Sequence, residues 1–219
     1  KIMKGLLIKD FKLMKMQKRF FLLILLVGLI ITISSFDVVF TTGFMAFVSS
    51  LFAISSISYD EFDNGNAFLF SLPFSRRTYA VEKYIFGAIL GCCAWILALL
   101  ITTVIGVFKG VYPDAETALS ACFILAMMFL ILALMLPFQL KFGGERGRIV
   151  LIGCIAFLAA AGTLIIKGLE LMGIDLLAIL DAMPTVNAGI LSVIVLLIAL
   201  LLFGISCLIS IGIVQKKEF

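Results

Sequence analysis

A long apolar tract near the start of the chain restricts the fold more than any other feature. It runs from Phe20 to Ile57 and contains one charged side chain, Asp37. As a single helix it would be about 57 Å long at 1.5 Å per residue, whereas the hydrocarbon core of a bilayer is about 30 Å thick. The tract therefore predicts two antiparallel transmembrane helices, residues 20–36 and 38–57, joined by a tight turn at Asp37.

Further apolar runs later in the chain are each long enough to cross a bilayer. The chain is 63% hydrophobic and 14% charged, whereas soluble domains are about 25% charged. We therefore predict an all-α, polytopic membrane protein with a six-helix transmembrane domain at 20–214, preceded by an amphipathic helix at 1–19 and followed by a tail at 215–219. The other four predicted spans are 85–108, 119–137, 149–166 and 188–214.

The basic residues predict the orientation of these spans. With both termini in the cytoplasm, all but two of the 17 Lys and Arg residues lie on the cytoplasmic side, the exceptions being Lys109 and Lys167. Short cytoplasmic loops retain positive charge in membrane proteins. The same asymmetry explains the net charge of +4 without a nucleic-acid partner. No cleavable signal peptide is expected, because the basic opening leads directly into a full-length span.

Several classes of site are disfavoured by what the sequence lacks. The chain has no His, and its five Cys residues all lie within predicted spans, so we expect neither a metal site nor a disulfide framework. An intramembrane protease that uses His and paired glutamates is excluded on the same grounds. The predicted spans contain no ionisable residue, which disfavours a proton- or sodium-driven transporter.

The first nineteen residues alternate lysines with apolar side chains. On a helical wheel the apolar residues share one face, although Asp10 and Gln17 interrupt it. This pattern favours a helix at the membrane interface with its lysines at anionic lipid head groups. The alternative is a basic flank that only determines topology.

The predicted cytoplasmic loop at 58–84 differs in character from the rest of the chain. A turn cluster at 63–65 is followed by Asn66, a favourable N-cap for a short helix that extends to Leu72. Pro73 disfavours helical geometry before it, and Ser75 is suited to cap a second helix that continues into the third span. The loop is therefore expected to present a short helix across the membrane face.

This short helix carries an apolar surface between charges of both signs. Three acids precede it and two arginines follow it, a combination that suits a soluble protein partner better than an anionic membrane. The residues that we expect to contact this partner are Asp60, Glu61, Asp63, Gly65, Asn66, Phe68, Leu69, Phe70, Leu72, Pro73, Ser75, Arg76 and Arg77.

The segment "DEFDNGNAFLFSLPFSRRTYAVEKY" at 60–84 closely resembles the segment after the second span in ABC-2 type permeases, the membrane subunits of ATP-binding cassette exporters. The segment "LPFQLKFGGERGRIVLIG" at 136–153 is similar to the short Firmicute branch of that family, which includes permeases for phenol-soluble modulins and for bacteriocin immunity. The residues that match the family pattern are Asp60, Glu61, Gly65, Ser71, Leu72, Pro73, Ser75, Arg76 and Lys83.

The resemblance implies a coupling helix at 66–72 that inserts into a separate ATPase subunit. ATP and magnesium would bind to that partner, since this chain has no phosphate-binding loop of the G-x-x-x-x-G-K-[ST] type and is expected to be no enzyme. It further implies a second permease copy or paralogue, a bacterial plasma membrane, and export of an amphipathic or hydrophobic cargo, in particular a peptide. A possible second contact with the ATPase comprises Lys141, Glu145, Arg146 and Arg148.

Two alternative functions remain open from the sequence. One is a bacteriocin-immunity permease that clears peptides from the membrane, and the other is an ATP-independent channel or structural membrane protein.

Two smaller features of the sequence do not discriminate between these functions. Gly87 and Gly91 are spaced for close helix packing, but Gly is frequent in membrane helices. The segment at 167–187 predicts a helix in the outer interface that ends at Pro184.

Overall fold

The computed structural model describes residues 2–62, 74–111, 114–143 and 188–216, together with the single residues 65, 69, 71, 149, 152, 153, 163 and 167. Across these residues the protein is helical, without β-strands, which confirms the predicted all-α class for this part of the chain. The six helices are α1 (Ile2–Met16), α2 (Lys18–Ser34), α3 (Val38–Glu61), α4 (Arg76–Lys109), α5 (Ala115–Phe142) and α6 (Ala188–Lys216).

The tight turn between α2 and α3 lies where the sequence predicts it. Asp37 is the N-cap of α3, and its carboxylate accepts a hydrogen bond of 2.8 Å from the backbone N–H of Phe40. At the C-terminus of α2, Lys109 Nζ lies 2.6 Å from the carbonyl oxygen of Ile33. A lysine at this position satisfies a carbonyl that has no partner within its own helix.

The number of membrane spans in the described residues is smaller than the sequence predicts. α3, α4, α5 and α6 are each long and apolar enough to cross a bilayer. α1 and α2 meet the same criteria only as a pair, and they are bent by 67° at a short break. The structure therefore contains four spans, or five if the bent pair is counted as one. The predicted span at 149–166 and the predicted interfacial helix at 167–187 lie mostly outside the described residues.

The directions of the helices follow from contacts between them. Ala53 of α3 lies against Gly87 of α4, while Asp60 meets Tyr79, so α3 and α4 are antiparallel. α5 and α6 are parallel, because contacts join their N-terminal halves through Cys122 and Ser192 and their C-terminal halves through residues 133 and 206. We call one end of the bundle the basic end. It holds α1, the N-terminus of α4 and the C-termini of α3, α5 and α6.

Glycines allow α4 to pack closely against its neighbours. A Cβ on Gly87 would lie 3.2 Å from the Cβ of Ala53, and one on Gly91 would lie 2.2 Å from Met128 Sδ. Met128 is fully buried, so its side chain has little space in which to move. The spacing of Gly87 and Gly91 therefore reflects a close three-helix contact between α3, α4 and α5.

Pro137, the last residue of the fourth predicted span, lies inside α5, which continues through it to Phe142. Proline has no backbone N–H, so the carbonyl of Ala133 loses its usual donor within the helix. The structure supplies another donor from α6, since the hydroxyl of Ser206 is hydrogen-bonded to this carbonyl. A proline is tolerated in a membrane helix where a neighbouring side chain satisfies the freed carbonyl.

We predict that Ser206→Ala destabilises the protein by about 1–2 kcal/mol, because it leaves the carbonyl of Ala133 buried without a donor. In a Pro137→Ala background the same substitution should cost less, since the backbone N–H at position 137 then supplies the missing hydrogen bond. The measurement is a double-mutant cycle on the free energy of unfolding in detergent micelles. Equal costs in the two backgrounds would show that Ser206 does not compensate for Pro137.

Candidate functional site: a buried ionic cluster beside the loop between α3 and α4

The N-terminus of α4 begins where Ser75 was predicted to cap a helix. The Ser75 hydroxyl accepts a hydrogen bond of 3.2 Å from the backbone N–H of Thr78. From Arg76 the helix continues for 34 residues without a break. It starts nine residues before the predicted span at 85 and therefore includes Glu82 and Lys83. The predicted span at 85–108 itself contains no Asp, Glu, Lys or Arg, and the two charged residues lie in the part of α4 that precedes it, at the basic end.

Lys83 lies at the centre of a buried polar cluster. Its side chain is completely buried, and its ammonium lies 2.5 Å from Asp10 of α1, 2.7 Å from Asp60 of α3 and 2.9 Å from the hydroxyl of Ser56 of α3. An ammonium group has three N–H donors. Each donor therefore has its own acceptor, and a single side chain joins α1, α3 and α4.

Asp60 is the second centre of this cluster. One of its carboxylate oxygens is paired with Lys9 of α1. The other accepts from Lys83 and also from the hydroxyl of Tyr79, which lies 3.1 Å away. We refer to these side chains together as the ionic cluster. Its members are Lys9, Asp10, Ser56, Asp60, Tyr79 and Lys83.

The ionic cluster explains why Asp10 interrupts the apolar face of α1. Asp10 is completely buried, and Leu6, one turn before it, is 6% exposed. Phe11 packs edge-to-face on Phe86 of α4, with ring centroids 5.4 Å apart. Gln17 is the other polar residue of this face, and its side-chain amide donates a hydrogen bond of 2.8 Å to the hydroxyl of Tyr59 of α3. α1 therefore packs on the protein through this face, while its exposed lysines remain available for lipid.

Burial makes the cluster sensitive to the loss of any one member. Transfer of charges out of water is costly, and attraction between them repays this cost only when every group has good partners. Removal of one partner then leaves an uncompensated charge in the interior. In membrane helices such groups pair with one another and mark functional positions. The cluster thus holds α1, α3 and α4 together at the point where the loop leaves α3 and enters α4.

The structure places part of the predicted contact surface inside the protein. Asp60 belongs to the ionic cluster, and Leu69 is 8% exposed within the hydrophobic core. A Cβ on Gly65 would lie 2.7 Å from the carbonyl oxygen of Asp60, so only glycine fits this close approach. Glu61 lies beside Gly143 at the end of α5. A direct contact of these residues with an ATPase stays a prediction.

The remaining described residues of the loop lie nearer the surface. Arg76 is half-buried, and its guanidinium donates a hydrogen bond of 3.1 Å to the backbone carbonyl of Gln215. Arg77 is exposed. Phe62, directly after α3, is 74% exposed, and the sequence reasoning did not select it. The other predicted contacts, Asp63, Asn66, Phe68, Phe70, Leu72 and Pro73, lie outside the described residues.

The possible second contact is described at one of its four residues. Lys141 is exposed at the end of α5 and, with Lys216 of α6, lines a recess of about 520 Å³ at the basic end. Glu145, Arg146 and Arg148 lie outside the described residues. This contact also stays a prediction.

A scan of the chain against protein families gives a match over nearly its whole length. The family described as ABC-2 family transporter protein matches residues 5–215, which covers α1, the ionic cluster and the loop between α3 and α4. The chain belongs to the ABC-2 transporter family. The resemblance to ABC-2 type permeases that was based on residues 60–84 is therefore confirmed, whereas the short Firmicute branch suggested by residues 136–153 stays a prediction. No curated protein and no solved structure matches the chain.

Membership of the ABC-2 transporter family connects the site with a class of function. The chain is a multi-pass membrane protein of an ATP-binding cassette transporter family, and this membership implies a partner ATPase subunit. In the described part of this ABC-2 protein no His, Cys, Asp and Glu side chains are grouped to hold a metal ion. The ionic cluster joins α1, α3 and α4 through charge pairs and hydrogen bonds.

Proposed function

We propose that this chain is the transmembrane permease subunit of an ATP-binding cassette exporter. In this proposal the loop between α3 and α4 docks on a separate ATPase subunit, and the ionic cluster transmits the movement of that subunit to the membrane helices. The observation that carries the proposal is the position of the buried Lys83, which joins α1, α3 and α4 directly beside the loop.

The continuity of α4 supports a lever mechanism. α4 extends from Arg76, at the end of the loop, to Lys109 at the opposite end of the bundle. The ionic cluster ties its first two turns to the end of α3 and to α1. A displacement of the loop would therefore move these segments together and would tilt or rotate α4 along its length. Two copies of the chain, or one copy and a paralogue, would each dock one ATPase subunit.

The exposed residues at the loop provide contact surface for the ATPase. Phe62 offers a large aromatic side chain, and aromatic residues and arginines dominate binding energy at protein interfaces. Arg77 offers a charge at the surface. The proposed contact extends to the coupling residues at 63, 66–68, 70, 72 and 73, as the family resemblance implies.

An apolar cavity supports an amphipathic or hydrophobic cargo. It has a volume of about 390 Å³ and lies at the end of the bundle opposite the basic end. Its lining is mainly apolar. The indole N–H of Trp95 donates a hydrogen bond of 3.0 Å to the backbone carbonyl of Ala121, so it is not free to bind a ligand. The lining includes Trp95, Leu99, Thr102, Thr103, Leu125 and Leu196. Such a surface suits the apolar side chains of a peptide.

The test is purification of the tagged chain from native membranes in mild detergent, followed by measurement of the bound ATPase. We predict that Phe62→Ser and Arg77→Glu each weaken association with the ATPase by about tenfold or more, as loss of an interface hot spot does. Arg19→Glu is the matched control, since Arg19 is also exposed at the basic end. It should retain the partner.

The possible results separate the functions that the sequence leaves open. A chain that purifies without an ATPase and conducts solutes across liposomes alone would be a channel, and the proposal would be wrong. If the ATPase is present and the variants lose it, reconstituted vesicles with the wild-type pair should accumulate or release amphipathic peptides on addition of ATP. Protection of cells from a bacteriocin, without export of a native peptide, would identify the immunity function.

A further inference from the structure

A second buried acid lies next to the ionic cluster without a hydrogen-bond partner. Glu82 is completely buried, and among the described residues neither of its carboxylate oxygens is hydrogen-bonded. The nearest basic atom in an ion pair, Lys83 Nζ, is 4.0 Å away, beyond hydrogen-bonding distance. Buried polar groups of folded proteins are nearly always hydrogen-bonded. This carboxyl group therefore requires an explanation.

Asp10 also has a buried carboxylate oxygen without a hydrogen-bond partner. Its Oδ2 atom binds Lys83 and Ser56, but its Oδ1 atom is buried and makes no hydrogen bond. Lys9 Nζ lies 3.1 Å from this oxygen, yet the geometry is that of an ion pair without a hydrogen bond. The carboxyl groups of Glu82 and Asp10 lie near the same atom, since Lys83 Nζ is 4.0 Å from Glu82 Oε2 and 2.5 Å from Asp10 Oδ2. If both were ionised, their like charges would repel each other, and neither could donate a hydrogen bond to the other.

The charges around Glu82 do not balance if every acid is ionised. α1 contributes Lys9 and Asp10, α3 contributes Asp60, and α4 contributes Lys83 with the hydroxyl of Tyr79. The two lysines balance Asp10 and Asp60. An ionised Glu82 would be a third anion in the interior, and an uncompensated buried charge is strongly unfavourable.

We propose that Glu82 is a neutral carboxylic acid whose proton forms a hydrogen bond with Oδ1 of Asp10, so that α4 and α1 share a buried proton site. A proton at this position gives Oδ1 of Asp10 a donor and brings one of the two Glu82 oxygens into a hydrogen bond. It also leaves the set of Lys9, Asp10, Asp60 and Lys83 electrically balanced. The proton therefore acts as part of the contact that holds α1 on α4.

Loss of this proton should weaken the contact of α1. Above the pH at which Glu82 ionises, the third anion repels Asp10 across the boundary between the helices. Since the protonated form favours the docked helix, docking is complete at lower pH and is lost as pH rises. The inference does not depend on the ATPase contact, because it concerns α1, α3 and α4 alone.

Infrared spectroscopy of the full chain in lipid vesicles tests the protonation state directly. A protonated carboxylic acid has a carbonyl stretching band that a carboxylate lacks. We expect such a band in the wild-type protein at neutral pH and its loss in Glu82→Gln. Glu116→Gln is the matched control, because Glu116 is exposed in the first turn of α5. It should retain the band, and a spectrum without a band specific to Glu82 would overturn the proposal.

Trypsin cleavage at the exposed lysines of α1, Lys12 and Lys15, reports on docking. In the wild-type protein, cleavage relative to Glu82→Gln at the same pH should rise by up to about tenfold per pH unit while Glu82 is protonated only in the docked state, and should level off once it ionises there as well. Glu82→Gln keeps a donor for Asp10 without ionising, so its α1 should stay docked, whereas Glu82→Ala should be cleaved at every pH. Identical pH profiles for wild type and Glu82→Gln would contradict the proposal.

Discussion

Replacement of Lys83 with methionine is expected to lower the free energy of unfolding by about 3–5 kcal/mol. This is the cost of removing one partner of a buried ion pair, because the other partner is left as an uncompensated charge. Methionine resembles lysine in length but has no charge and no donor. Of their described partners, Oδ2 of Asp10 would retain only the hydroxyl of Ser56, and Asp60 would retain Lys9 and the hydroxyl of Tyr79. The measurement is unfolding of the purified chain in detergent micelles.

A matched control and a rescue make the Lys83 experiment specific. Lys12→Met removes an exposed lysine from α1 and should change stability by less than about 0.5 kcal/mol. The double variant Lys83→Met with Asp10→Asn should recover part of the loss, because it removes a buried cation together with one of its anions. If Lys83→Met and Lys12→Met were equally stable, the cluster would have no structural role.

Introduction of leucine at Gly91 is expected to have the second large effect. The first atom of the new side chain would lie 2.2 Å from Met128 Sδ and 3.1 Å from the Cβ of Ser50. Both neighbours are buried, so the helices must separate to make room. Overpacking of this kind costs about 1–3 kcal/mol and often more. We expect a corresponding fall in the unfolding temperature and in the yield of folded protein.

Gly204→Leu is the control for this substitution. Gly204 is exposed on α6, and a Cβ there would meet no atom within 4 Å. Leucine also favours a helix more than glycine does, so this variant should be as stable as the wild type or slightly more stable. Equal losses at positions 91 and 204 would mean that the close contact of α4 with α3 and α5 is not required.

A turn and the start of a helix could be predicted from the sequence, because each is determined by residues that are close together in the chain. The turn at Asp37 follows from an apolar tract too long for one span and a side chain that caps α3. The start of α4 follows from the capping preference of Ser75. Asp114 caps α5 in the same way, and the hydrogen bonds that it accepts from Thr117 lower the pKa of its carboxyl group. In contrast, the continuation of α5 through Pro137 could not be predicted, since the donor that compensates for the proline comes from α6.

The ionic cluster shows why the rest of the site could not be predicted in the same way. Asp10 was visible as an interruption of an apolar face, and Lys83 and Asp60 were visible in the family pattern. Nothing in their spacing indicates that they form a contact, because Lys83 and Asp10 are 73 residues apart. Their meeting depends on how three helices rotate and cross. Glu82 was not selected at all, since nothing in the sequence indicates that its side chain is buried.

The sequence by itself determined that this protein is helical and enters a membrane, and it identified the ABC-2 family through the segment at 60–84. These properties depend on the length and hydrophobicity of continuous segments, which act locally along the chain. Only the tertiary structure decided which acids meet Lys83 and which residues beside the loop remain exposed. The physical reason is that charges pair through space: the partners of a buried lysine are selected by helix packing, and the cost of leaving any of them unpaired maintains that packing.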